Sequence, residues 1–371
     1  MAKGAVYKNE FYTYQDSHTG RTVVRLTPPD CLNHHPYFYN KMFTNDGKKL
    51  VYAGMRDGDR NYYFLDLENG ESLQLTDGKE LADFGAQLTS DDAFLIFTRG
   101  AGTYRMDMKS LKEELLYETP DGWKGYANPG MSSDNTTFVS IEMNKADMVP
   151  PTGNWDLFST QLHKKPLCRI VIYDTVKKER RVIHEEKCWL GHPQLRPYDN
   201  NTVMFCHEGP WHEVDARLWL IDADGTNMRC AKPRTDPSEQ MGHEYWLADG
   251  SSLAYIHFAS ATYGSNASVR LVNPKTLEET ILMPCSGYSH FISNRDNTAI
   301  VGDGTKGENL FVYLVDVAAK KEQKLCWHGT SEKSYGTTQD AHVHAAFTPD
   351  CRKVVFTSDR EGIPCIYMVT I

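Results

Sequence analysis

Apolar and polar positions in this chain alternate as short β-type runs separated by Asp-led turns, and the arrangement repeats. Seven times a polar cluster built on an aspartate precedes an apolar, β-branched or aromatic run: Asp46 before residues 50–53, Asp91 before 94–97, Asp134 before 138–141, Asp199 before 203–205, Asp249 before 253–256, Asp296 before 299–301 and Asp350 before 354–356. Asp-Gly and Asn-Asp clusters between such runs are hairpin signals. The aspartates recur with a mean period of about 51 residues, a length that points to a propeller or array. Each unit carries a third β-type run soon after the turn, as in residues 62–67, 169–174, 218–222 and 310–316, and complete units carry a fourth, as in 72–76. Four antiparallel strands make one propeller blade.

The seventh unit ends at Ile371, one strand short, and residues 22–27 near the N-terminus resemble the missing fourth strand. Closing the ring with an N-terminal strand removes a sheet edge that would otherwise invite aggregation. The expected fold is therefore all-β, a seven-bladed β-propeller closed by an N-terminal strand, with residues 1–371 as one domain. The step from Asp134 to Asp199 is longer than the others, and the surplus falls around residues 144–165, with Pro150-Pro151, Gly153 and Trp155. An insertion of this kind in a repeat protein is either a loop on the binding face or an ordinary surface excursion.

A histidine returns at one address in four successive units. His192, His243, His290 and His344 each precede the turn aspartate by six or seven residues, and the last is doubled as Gln339-Asp340-Ala341-His342-Val343-His344. On a strand, side chains two apart share a face, so His342 and His344 are expected to grip one ion together. Inner strands of a propeller converge on its channel, which lets His290 from the sixth blade join them, and the Gln339 amide oxygen is a candidate fourth ligand. Three imidazoles and a neutral oxygen leave positions open, as a catalytic metal site requires. The set suits Zn, Fe, Ni or Cu, and the oxygen admits Mn. His243, without a neighbouring chelator, suits the role of proton acceptor. His192 reads as a ligand, an acid or base, or a structural histidine. His207 ends a strand, and Arg217 is placed to reach the channel mouth.

Composition narrows the function. The net charge of −9 argues against a nucleic-acid or membrane surface. No apolar stretch approaches a membrane span, the N-terminus lacks the apolar core of a signal peptide, and nine cysteines occur without a Cys-x-x-Cys pair. A cytoplasmic location is expected. Residues and repeats alone leave open a metal-dependent enzyme, including a hydrolase, and a non-catalytic propeller that binds metal or ligand.

Several stretches narrow this further: Tyr37-Phe38-Tyr39, Trp123-Lys124-Gly125-Tyr126, Trp189-Leu190-Gly191-His192-Pro193, Cys206-His207-Glu208-Gly209-Pro210 and Val214-Asp215-Ala216-Arg217. With them the chain resembles, essentially end to end, the oligogalacturonate lyases, a pectin-degrading family of seven-bladed propellers. The resemblance implies manganese, or another divalent transition metal, on His290, Gln339, His342 and His344. It implies His243 as the Brønsted base and Arg217 as a site arginine, with His192, His207 and Lys124 counted as substrate-binding. The implied reaction is β-elimination at 4-linked galacturonate in short oligomers, di- and trigalacturonate above all. Val343 stands where the family's segment carries proline, and residues 144–167 match less well.

Overall fold

The computed structural model describes residues 2–371 apart from 57, 83, 151–155, 260–265, 306 and 337–340. Among the described residues the strands form seven antiparallel sheets in chain order, and the fold is a seven-bladed β-propeller, as the repeat predicts. The fourth sheet shows the plan: Leu190–Leu195, Thr202–His207, Leu218–Asp222 and Arg229–Lys232 pair in succession. The fifth (Gln240–Trp246, Leu253–Phe258, Ala267–Val272, Glu279–Cys285) and the sixth (Tyr288–Ser293, Ala299–Gly304, Phe311–Asp316, Lys321–Trp327) repeat it.

The seventh sheet joins the chain ends. Thr22–Arg25 pairs with Cys365–Thr370, Val23 facing Val369, as the missing-strand argument expects. The N-terminus adds two strands beyond that expectation: Tyr12–Gln15 extends the seventh sheet, and Val6–Lys8 lines the edge of the first beside Glu71–Gln74.

The repeated aspartates work as turn locks. In five turns a Thr or Ser hydroxyl donates to the aspartate Oδ1 at 2.6–2.8 Å: Thr44 to Asp46, Thr89 to Asp91, Ser132 to Asp134, Ser251 to Asp249 and Thr348 to Asp350. The next residue takes the left-handed conformation in six of the seven, at Gly47, Asp92, Asn135, Gly250, Asn297 and Cys351. Gly and Asn tolerate that geometry, and Cys351 does so at a cost. The fourth turn departs from the rule and places Tyr198, ahead of Asp199, in that region.

Contacts gather the chain into two compact units, residues 1–115 with 289–371 and residues 116–288. In the first, Val301, Val312 and Leu325 of the sixth sheet pack on Val354, Phe356 and Tyr367 of the seventh. In the second, Val139, Ile141, Ile170 and Ile172 pack on Leu195, Val203, Phe205 and Ile221. Each such side chain contributes about 1.5–3 kcal/mol by leaving water, which is why alternate strand positions are apolar.

The surplus around residues 144–165 contains a short 3-10 turn, Lys145–Asp147, and one α-helix, Asp156–Lys164, where sequence reasoning gives only an insertion. Phe158 meets Trp189 at 5.2 Å between ring centres, and Gln161 accepts from Val149 N–H and donates to the Asp147 carbonyl. Among the described residues no helix is long and apolar enough to cross a membrane.

Candidate functional site

Three of the predicted histidines converge in the first unit. One ligand atom each from His290, His342 and His344 lies within 4.8 Å of the others, and all three residues are buried. The ring centres of His290 and His344 are 4.2 Å apart, with His342 5.4 Å from the former and 5.6 Å from the latter. Three buried imidazole nitrogens within that reach of one another suit a borderline divalent transition ion, so the residues present fit a metal. Gln339 lies outside the described residues.

Asp303, on Ala299–Gly304, organises this cluster. It is 1% exposed, and its carboxylate accepts from His290 N–H at 2.5 Å, from His344 N–H at 3.0 Å and from His290 Nδ1 at 3.2 Å. A carboxylate here only accepts, so Nδ1 of His290 carries the proton and Nε2 is the nitrogen presented to an ion. This is the outer-shell arrangement that orients metal-binding imidazoles. Burial opposes the charge on Asp303, yet His290 and its hydrogen bonds hold the carboxyl below its ordinary value. Behind it His328 accepts from Thr330 N–H and donates from Nε2 to the Gly304 carbonyl, and burial pushes its pKa down to about 4. Aromatic rings wall the cluster: Tyr37 lies 4.7 Å and Phe84 5.6 Å from His344, and Phe38 lies 5.6 Å from His290.

The repeat address has a backbone signature that side-chain patterning does not reveal. His192, His243 and His344 have φ of 51°, 50° and 48°. In the fourth sheet Gly191 faces Cys206 and Gln194 faces Met204, leaving His192 and Pro193 opposite one residue. The fifth sheet does the same with His243 and Glu244. In the seventh, Thr357 N–H donates to Val343 while Ala346 faces Val355, so His344 and Ala345 share one partner position. These are β-bulges whose first residue, ordinarily glycine, is histidine. His342 and His344 therefore meet because a bulge turns one of them, not because they share a strand face, and residues 342–345 are not in a strand.

In the second unit a buried charge network fills the space behind two of these bulges. Arg217 is 2% exposed; its Nε and Nη2 donate to Glu244 at 2.9 and 3.2 Å, and its Nη1 donates to Glu208 at 2.9 Å. His192 Nε2 stands 3.1 Å from the other Glu208 oxygen, and Gly209 N–H donates to Glu208 at 3.0 Å. Burial would raise both carboxyls, but Arg217 outweighs it, and at Glu208 the His192 hydrogen bond adds to the effect; both carboxyls lie below their ordinary values. Burial pushes the Cys206 thiol well up. His192, Cys206 and Glu244 also place ligand atoms within 4.8 Å, but Arg217 already supplies the positive charge there. This differs from the sequence expectation of an arginine reaching for substrate, since its donors meet carboxylates of the chain itself.

His243 is half-buried, its ring 5.0 Å from Trp211 in an edge-on contact. A Cβ on Gly242 would fall 2.3 Å from the Trp211 ring, so glycine is what lets this indole lie against the bulge. His207 stacks on Trp219 at 4.9 Å and pairs with Glu186 at 3.1 Å. Lys124 is exposed on the edge strand Trp123–Gly125. Sequence reasoning missed Asp303, Glu208 and Glu244; the available signal was acidic residues at the ends of apolar strands or beside the repeated histidines. It also missed Asp359, which accepts from Thr330, Ser331 and Tyr335 in the segment leading to residues 337–340.

The sequence matches the family model described as Oligogalacturonate lyase over residues 1–371. It is 42% identical to an oligogalacturonide lyase of Pectobacterium atrosepticum and 42% identical to an oligogalacturonate lyase of Dickeya dadantii, each alignment covering 100% of this chain and 98% of the relative. Among solved structures it is similar to an oligogalacturonate lyase in complex with manganese, with a TM-score of 0.95 and 41% identity over 100% of this chain and 98% of that one.

Proposed function

Since the chain belongs to the oligogalacturonate lyase family, we propose that it cleaves short galacturonate oligomers by metal-dependent β-elimination, with di- and trigalacturonate as its substrates. The observation that carries this reading is the buried triad of His290, His342 and His344, steadied by Asp303. With Gln339 as a further ligand, these residues would hold manganese, the metal of the solved relative. Bound there, the metal supplies positive charge that neutralises a uronate carboxylate and makes the adjacent C5 proton removable.

The chain's own residues then handle protons and orientation. His243 removes the C5 proton as the C4–O bond breaks, leaving a 4,5-unsaturated uronate. An imidazole suits that task because the unperturbed side-chain type exchanges protons near neutrality. Arg217 acts through Glu244, the residue after His243, and through Glu208, and so holds the bulge that aims the base. Lys124 offers an exposed ammonium to a further uronate, and His192 and His207 complete the substrate contacts. All nine cysteines stand as thiols, which supports a reducing compartment, the cytoplasm.

The test is ultraviolet absorbance of the purified protein with trigalacturonate, repeated after EDTA and again after added Mn²⁺. An unsaturated-product chromophore that EDTA abolishes and Mn²⁺ restores is the expected result. Cleavage without the chromophore would mean hydrolysis and would refute the reading.

A further inference from the structure

The fourth and fifth sheets present two histidines on one backbone device. His192 and His243 each open a bulge after a glycine, and Gln194 Nε2 donates to the Glu244 carbonyl at 3.1 Å, tying their two edge strands together. Their surroundings differ in a way that separates their chemistry. His243 lies against the Trp211 ring, whereas His192 Nε2 is held at 3.1 Å by Glu208. The groups facing His192 are Glu208, with Arg217 behind it, then Glu244, Cys206 and the Tyr126 ring 6.2 Å away. Glu208 and Glu244 against Arg217 leave one uncompensated negative charge in a buried network, and an imidazolium at position 192 brings the sum to zero. Buried charge is strongly unfavourable unless balanced, so the geometry gives His192 the partners of a proton donor. The opposite requirement holds at a base, which must be empty to accept.

We propose that His192, braced by Glu208, is the general acid that protonates the departing oxygen, with His243 as the base; this rests on the lyase reading above. The C5–H bond breaks and its proton passes to His243, while its electron pair forms the C4=C5 bond. The C4–O bond breaks, its pair stays on the departing glycosyl oxygen, and that oxygen takes the proton from His192 Nδ1, Nε2 keeping its bond to Glu208. Solvent then removes the proton from His243 and returns one to His192. Glu208 and Arg217 are positioning residues in this scheme.

The test compares leaving groups on the Mn²⁺-loaded enzyme. One substrate is trigalacturonate; the other is a galacturonate methyl glycoside with 4-nitrophenoxide at C4, which departs without needing a proton. His192→Asn is expected to lower kcat on trigalacturonate by about 10²- to 10⁴-fold and to stay within about tenfold of the parent enzyme on the aryl ether. His243→Ala is expected to lose activity on both. Equal losses of His192→Asn on the two substrates would overturn the proposal and make His192 merely structural, as would undiminished turnover of trigalacturonate. Mn²⁺ uptake and thermal melting confirm folding, with His192→Gln as the second variant if His192→Asn does not fold. The unsubstituted enzyme giving no unsaturated product at all would sink the lyase reading itself, a result distinct from any variant's.

Discussion

Replacing Asp303 by asparagine removes one charge and almost no volume, and it isolates what the carboxylate does for the triad. Two oxygens now serve three donors, the His290 and His344 backbone N–H groups and His290 Nδ1–H. Asparagine keeps one oxygen and turns an NH₂ toward at least one of them, so two donors face each other in a buried site. A hydrogen bond to a charged group contributes about 1.5–3 kcal/mol, and a buried donor left without an acceptor costs about 1–3 kcal/mol. His290 responds by rotating or changing tautomer, either of which disturbs the nitrogen offered to metal. Outer partners of this kind are worth about 10–100-fold in metal affinity, or about 1.4–2.8 kcal/mol. Mn²⁺ titration followed by the paramagnetic resonance of free Mn²⁺ should show the dissociation constant of Asp303→Asn raised by that factor. Unchanged Mn²⁺ affinity in a folded Asp303→Asn protein would refute the account, because the three hydrogen bonds would then be irrelevant to ligand orientation.

Further outcomes follow from the same geometry. His243→Ala should abolish turnover while Mn²⁺ affinity stays within about twofold of the parent, a split checked by paired kinetics and titration. Mn²⁺ at 100 times its dissociation constant should raise unfolding free energy by about 2.7 kcal/mol, seen in melts with and without EDTA. Arg217→Met strands Glu208 and Glu244 and should destabilise the fold by about 3–5 kcal/mol in urea unfolding, with a smaller loss on adding Glu244→Gln. Burial works against ionisation of Glu186, but hydrogen bonds from His184 and His207 win and bring its pKa down to about 2. Its contribution is thus fully present above its ordinary value of 4.5 and lost as pH falls toward about 2, so Glu186→Gln should flatten the acid-unfolding curve in that window.

Much of the fold was legible because turn chemistry is local. Asp46, Asp134 and Asp350 lock their turns through hydroxyls two residues away, so a seven-fold spacing rule survives without any knowledge of packing. The N-terminal strand was legible for a similar reason, since a missing blade strand must come from somewhere. The helix Asp156–Lys164 was not, because it rests on Trp189 and on Gln161 bonds to residues 147 and 149 rather than on the repeat. At the candidate site the histidines were visible as a recurring residue type, but their aim depends on φ, which spacing does not encode. Arg217 shows the limit most clearly. A lone cation in sequence looks available to a substrate, and only the fold reveals Glu208 and Glu244, 9 and 27 residues away, already holding it.

The left-handed histidines carry a consequence for engineering. At 192, 243 and 344 a side chain with a Cβ occupies backbone that glycine enters without steric penalty, at a cost of about 1–2 kcal/mol for each. Turn preference alone would therefore favour glycine at all three, but at 192 the lost Glu208 contact and at 344 the lost metal ligand oppose that gain, and every such step erases an imidazole. Redesigning this scaffold by consensus of turn preference is a route to an inert propeller, and libraries screened for heat resistance should hold these three codons fixed.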